Sequence, residues 1–130
     1  MLKYYRPGIC WALFIFILCA IPGKNLPHYS WTDLLSVDKL VHFTMFFVLT
    51  ALFKSGIVQS HHFVSTHNKI LIVAAIAYGA LLELMQSYCY TDRSGSWFDL
   101  LANSLGAMAG VYFFNKLFDN AGKPLFLKKK

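Results

Sequence analysis

The sequence predicts an all-α fold, an integral membrane four-helix bundle, from its composition and the spacing of its apolar segments. Of its 130 residues, 57% are hydrophobic and only 14% are charged, whereas soluble domains carry roughly 25% charged residues. A soluble chain of this length cannot bury so much apolar surface, so we expect the lipid bilayer to be its solvent. The length predicts a single domain over residues 1–130.

Four apolar segments define the helices of this prediction. We expect the spans at residues 7–22, 38–54, 69–88 and 97–117. A spanning helix needs about 20 residues. Aromatic residues at the flanks, such as Tyr4 and Tyr88, extend the shorter segments into the membrane interface.

The first apolar segment has two interpretations. Lys3 and Arg6 precede a short apolar core, as they would in a cleaved signal peptide. However, Ile21 and Pro22 stand where such a signal needs a small-x-small cleavage site. We therefore expect the segment to remain as an uncleaved membrane anchor.

The basic residues predict how the chain is oriented in the membrane. With a cytoplasmic N-terminus, four spans put both termini and the loop at 55–68 on the cytoplasmic side. Nine of the twelve basic residues then lie inside, and only Lys24, Lys39 and Arg93 lie outside. This distribution follows the positive-inside rule. The net charge of +6 is therefore a topology signal, and we expect membrane lipid rather than nucleic acid as a partner.

Polar and ionisable side chains gather at the predicted outer ends of three spans. The second span starts with them, the third ends with them and the fourth starts with them, and the loop before the fourth adds an arginine. The candidate site residues are Asp38, Lys39, His42, Glu83, Gln86, Arg93, Asp99 and Asn103. Ionisable residues inside a membrane are costly and usually functional, so this convergence predicts a binding or catalytic site.

Helical spacing predicts that these side chains face other helices rather than lipid. The pairs at helical spacing are Asp38 with His42, Glu83 with Gln86, and Asp99 with Asn103. Residues three or four apart share one helix face. The face of the fourth span continues into Gly106 and Gly110, a small-x-x-x-small pattern typical of close helix packing.

Structural interpretations of the same residues remain open. Asp38 suits the N-cap of a helix, and Ser96-x-x-Asp99 suits a capping box. Lys39 can extend its amine to the interface. Glu83 is the hardest to explain in this way, because it lies late in an apolar helix, where the helix dipole disfavours an anion.

At these residues the sequence resembles the VanZ-like family of small bacterial membrane proteins. The matching blocks are "IPGKNLP" at 21–27, "DKLVHF" at 38–43, "GALLELMQ" at 79–86 and "DRSGSWFDLLANSLGAMAG" at 92–110. The resemblance implies a multi-span protein of the bacterial inner membrane without an established reaction, and it places the family's signature polar residues on the eight candidate positions. The family's namesake is associated with resistance to a glycopeptide antibiotic, whereas nothing in this sequence indicates a resistance context.

Two functions fit the predicted site best. The first is binding of a lipid-linked cell-wall precursor or a glycolipid, with Lys39 and Arg93 holding its phosphate or carboxylate groups. The second is a membrane-embedded hydrolase or transferase, with His42, Glu83 and Asp99 as catalytic candidates. Proton-coupled transport by a homo-oligomer and a purely structural role are further alternatives. We favour binding over catalysis, because the sequence contains no activated nucleophile and no H-E-x-x-H motif. We expect no cofactor and no metal.

Overall fold

The computed structural model describes residues 2–21, 31–60, 66–89 and 97–127. Four main helices run through them: α1 Leu2–Cys19, α2 Trp31–Gln59, α3 Thr66–Cys89 and α4 Trp97–Tyr112. A short helix, α5 Phe114–Leu117, and a 3-10 turn at Leu125–Leu127 follow. No strand is found in these described ranges. The all-α prediction is confirmed.

Three of these helices are long and apolar enough to cross a membrane. They are α1, the part of α2 from Lys39 to Gln59, and α3. The predicted fourth span at 97–117 is divided at Phe113 into α4 and α5. The 16 residues of α4 give a helix of about 24 Å, shorter than the roughly 30 Å hydrocarbon core.

Several predicted boundaries are corrected at α1 and α2. The first helix begins at Leu2 rather than residue 7 and contains Pro7. The second begins at Trp31 and ends at Gln59, so Asp38 lies inside it and is not its N-cap. The predicted inner loop at 55–68 is shorter, because α2 continues to Gln59 and α3 starts at Thr66. Ser96, the first residue of the expected capping box, lies outside the described residues.

Interhelical contacts show that successive helices alternate in direction. Tyr5 Oη lies 3.2 Å from Ser60 Oγ, and the Trp11 indole donates to the Met45 carbonyl at 2.9 Å, so α1 runs antiparallel to α2. Lys54 and His42 of α2 contact Val111 and Asn103 of α4 in the same chain order, so α2 and α4 run parallel. The start of α1 and the turn after α5 therefore lie at the same end of the bundle.

Helices α2 and α4 pack with almost no side chain between their backbones. A Cβ on Gly106 would collide with the Phe43 carbonyl, and one on Gly110 would collide with Thr50 Oγ1 and the Phe47 carbonyl. Thr50 Oγ1 donates a hydrogen bond across this interface to the Ala107 carbonyl at 3.0 Å. The close approach predicted from the glycine spacing is confirmed, and α2 is the partner.

Candidate functional site

Four polar side chains from three helices meet inside the bundle, and we call them the histidine cluster. They are His42 of α2, Glu83 of α3, and Asp99 and Asn103 of α4. One imidazole nitrogen of His42 and one oxygen of each carboxylate all lie within 4.8 Å of one another. His42 Nδ1 is 3.9 Å from Glu83 Oε1 and 3.0 Å from Asn103 Oδ1. The predicted convergence of His42, Glu83 and Asp99 is therefore confirmed.

Helix geometry explains why these side chains reach one another. Glu83 lies six residues before Cys89, the last residue of α3, and Asp99 lies two residues after Trp97, the first residue of α4. Because α3 runs against α2 and α4, its C-terminal part faces the start of α4. Gly79 lies one turn before Glu83, and a Cβ there would lie 3.1 Å from Asn103 Nδ2. The missing side chain thus makes room for the amide.

Burial separates the cluster from lipid and water. His42 is 6% exposed, Glu83 8% and Asn103 1%, while Asp99 is half-buried. Elsewhere on the same helices, large apolar residues such as Leu81 and Leu101 point outward. The polar groups therefore face the bundle interior, as the helical spacing predicted.

The contact between His42 and Asn103 fixes the imidazole. Asn103 Oδ1 is an acceptor, so at 3.0 Å the Nδ1–H group of His42 donates to it. In the neutral imidazole the lone pair is then on Nε2. This amide both orients the ring and selects its tautomer, which is the usual role of the partner of a ligand-binding or catalytic histidine.

Two more candidate residues lie beside the cluster with other contacts. Gln86 is buried, and its Nε2 donates to the Cys19 carbonyl at the end of α1 at 3.2 Å. Lys39 Nζ lies 4.8 Å from the centre of the Phe98 ring, a cation–π contact between α2 and α4. Gln86 thus ties α1 to the bundle, and Lys39, three residues before His42, ties α2 to the start of α4. The side chain of Asp38 and all of Arg93 lie outside the described residues.

A second polar group at the other end of α2 was not predicted, and we call it the lysine cluster. Lys54 is buried and donates to the Val111 carbonyl at 2.8 Å. Ser55 Oγ and Gln59 Nε2 donate to the Gly122 carbonyl at 2.5 Å and 2.9 Å. From the sequence, Lys54 is only one of the nine basic residues on the predicted cytoplasmic side. Its four-residue step from Thr50, which is also buried, was the signal that could have placed it on the α4 face.

The fold and the apolar helices define a small all-α membrane protein with polar side chains inside its helix bundle. The VanZ/LLP1 family model matches residues 8–119. This match extends from α1 to the residues just after α5, and the chain belongs to the VanZ/LLP1 family. Comparisons with curated proteins and with solved structures gave no match.

Proposed function

We propose that this VanZ/LLP1 protein binds the polar head group of a lipid-linked or cell-wall-related ligand at the histidine cluster. The observation that carries the proposal is the meeting of His42, Glu83 and Asp99 within 4.8 Å inside a helix bundle with apolar outer faces. Holding ionisable groups there costs free energy that lipid-facing apolar residues would not. A ligand with complementary polar groups adds hydrogen bonds to those that the cluster already makes.

The chemistry of the cluster favours a head group rich in hydroxyl or amine groups. Carboxylates accept hydrogen bonds from hydroxyls and amines, and the Asn103 amide and the imidazole both donate and accept. Lys39, beside the cluster, supplies a positive charge for a phosphate or carboxylate. The set suits a phosphate-linked saccharide, which presents both kinds of group.

An apolar cavity further along α2 supports a ligand with a hydrocarbon chain. It has a volume of about 270 Å³ and is lined by residues of α1, α2 and α3, among them Ala12, Leu49 and Tyr78. Leu49 follows His42 by seven residues, about 10 Å along the helix. A lipid whose head group contacts the histidine cluster has a chain long enough to reach this cavity.

We further propose that the chain lies in the bacterial inner membrane with both termini in the cytoplasm and the histidine cluster near the outer leaflet. The alternating helix directions support this topology, because they place Tyr5 of α1 beside Ser60 and Gly122 beside Ser55 at one end. Most of the basic residues within the described ranges lie toward the same end. A reporter fused after Lys130 that is active only in the periplasm would contradict it.

An enzyme is the second candidate, and the same three side chains favour it. An imidazole between two carboxylates can transfer a proton in a hydrolase or transferase reaction. The enzyme hypothesis differs from binding in one measurable respect, since the enzyme would release an altered ligand.

Ligand capture tests the binding proposal directly. The wild-type protein is purified in mild detergent, and its co-purifying lipids are identified by mass spectrometry and compared with those of His42→Gln and Glu83→Gln. His67→Gln is the matched control, because His67 lies at the opposite end of α3. We expect a phosphate-containing glycolipid with the wild type and the control, and its loss from both cluster variants. Equal lipid profiles in all four proteins would refute the proposal.

A further inference from the structure

We infer that His42, Glu83 and Asp99 bind one divalent transition-metal ion. Each residue lies on a different helix, and their nitrogen and oxygen atoms all lie within 4.8 Å of one another. His42 and Glu83 are buried, and Asp99 is half-buried. The sequence predicted the convergence of these three residues but no metal among them.

The separation of the three atoms fits a metal centre. In a tetrahedral zinc site, with bonds of about 2.0–2.2 Å, neighbouring ligand atoms lie roughly 3.3–3.5 Å apart. One ring nitrogen of His42 and one oxygen of each carboxylate lie within 4.8 Å of one another. A metal centre of this kind therefore requires the ligand atoms to approach by up to about 1.5 Å.

The donor set selects the class of metal. One imidazole with two carboxylates suits zinc, manganese or iron, whereas magnesium and calcium prefer oxygen ligands alone. Three protein ligands leave the fourth coordination position for another molecule, as in catalytic rather than structural zinc sites.

The contact between His42 and Asn103 decides which ring nitrogen of His42 would bind the metal. Histidines that bind a metal through one ring nitrogen donate the N–H of the other to an oxygen acceptor. Asn103 is buried, and its Oδ1 lies 3.0 Å from His42 Nδ1, so it supplies this acceptor. The metal would therefore bind Nε2, and the Glu83 carboxylate, whose Oε1 lies 3.9 Å from Nδ1, would have to turn toward Nε2.

This inference rests on the proposed function, because it uses the same cluster. It adds that a metal ion holds the ligand there. A metal with one open position binds a phosphate or carboxylate oxygen of the head group directly. Metal content and bound lipid are measured separately. A negative result for metal binding therefore does not decide lipid binding, and the reverse also holds.

Metal content tests the inference without any activity assay. The protein is prepared with a histidine-free affinity tag, loaded with zinc, dialysed and analysed by elemental mass spectrometry. We expect about one zinc ion per chain in the wild type and in His67→Gln. We expect the zinc affinity of His42→Gln, Glu83→Gln and Asp99→Asn to be weaker by about tenfold or more. Cobalt loading gives a second readout, because tetrahedral cobalt with nitrogen and oxygen ligands absorbs visible light.

Each outcome decides the question. A folded wild type that retains neither zinc nor cobalt overturns the inference, and so does full retention by His42→Gln, which would mark the metal as adventitious. If His42→Gln fails to fold, Asp99→Asn decides, since its half-exposed side chain leaves the helix packing in place. Loss of metal from His67→Gln would place the ion elsewhere. Wild-type protein that holds the glycolipid but no metal would refute the metal alone.

Discussion

The two ends of the α2–α4 interface carry polar side chains in opposite arrangements. In the lysine cluster, side chains bond to backbone carbonyls: Lys54 to Val111, and Ser55 and Gln59 to Gly122. In the histidine cluster, side chains meet other side chains from three helices. The same helix thus uses its polar residues in two ways within about 18 Å, the length of the twelve residues from His42 to Lys54.

The difference lies in whether the end of a helix accounts for the polar side chains. A carbonyl at the end of a helix needs a donor, and a cation there also interacts favourably with the helix dipole. Lys54 supplies both for α4, so its burial follows from the fold. No helix end requires two carboxylates and an imidazole to converge. The proposed ligand and metal therefore concern the histidine cluster and not the lysine cluster.

The largest loss of stability is expected where the two backbones touch. In Gly106→Leu the new side chain would collide with the Phe43 carbonyl, which belongs to backbone and cannot rotate away. Overpacking typically costs about 1–3 kcal/mol and occasionally more, and a collision with backbone belongs to the upper end of that range. We expect little folded protein in the membrane, measured by immunoblot and by thermal unfolding in detergent. Tyr112→Leu is the control, since Tyr112 is 74% exposed on the same helix and should change little.

The Gly106→Leu substitution tests both clusters at once, because both depend on the contact between α2 and α4. Separation of α4 from α2 would disrupt the His42–Asn103 and Lys54–Val111 hydrogen bonds together. Normal stability of Gly106→Leu would show that the helices do not pack as closely as described, and the two-cluster comparison would fail.

An intermediate effect is expected for Lys54→Met. The substitution keeps the length of the side chain but removes the donor to the Val111 carbonyl and the contact with the Phe114 ring, whose centre lies 5.0 Å from Nζ. Loss of a charged hydrogen bond costs about 1.5–3 kcal/mol. We expect a lower unfolding temperature, with lipid and metal binding retained by the folded fraction. Lys116→Met, at an exposed position of α5, is the control. Loss of binding at unchanged stability would place Lys54 in the functional site.

The inward faces could be predicted because buried polar residues follow helical spacing. His42, Met45 and Leu49 are buried along α2, as are Asn103 and Gly106 along α4. Small-residue spacing likewise predicted the close packing of α4. These features depend on local periodicity, which one sequence displays directly.

Helix ends and contacts distant in sequence could not be predicted in the same way. The segment before Asp38 contains no glycine or proline between residues 31 and 37, so nothing stops α2 from starting at Trp31. Conversely, the apolar run around Phe113 contains no sequence signal that predicts the break between α4 and α5. The Val111 and Gly122 carbonyls accept hydrogen bonds from α2 because they lie beside it. Only tertiary packing determines which carbonyls lie there.

The smallest loss of stability, combined with the largest loss of function, is expected for Glu83→Gln. Glutamine has the same shape and keeps the capacity for hydrogen bonding, so we expect the free energy of unfolding to change by less than about 1 kcal/mol. Removal of the charge, however, weakens the attraction for a metal or a cationic group. We expect the variant to have normal membrane abundance and a normal unfolding temperature. We expect it to lose the cell-envelope phenotype that the wild-type protein confers.

The contrast with Lys54→Met makes this experiment decisive. A structural residue lowers stability and function together, whereas a ligand-binding residue lowers function alone, because binding sites hold groups that the fold itself does not need. Abundance, unfolding temperature and phenotype are therefore measured side by side for both variants. Degradation of Glu83→Gln would assign Glu83 to the same structural role as Lys54. Full function at normal abundance would show that the charge of Glu83 is not used, and the histidine cluster would then be a means of packing three helices.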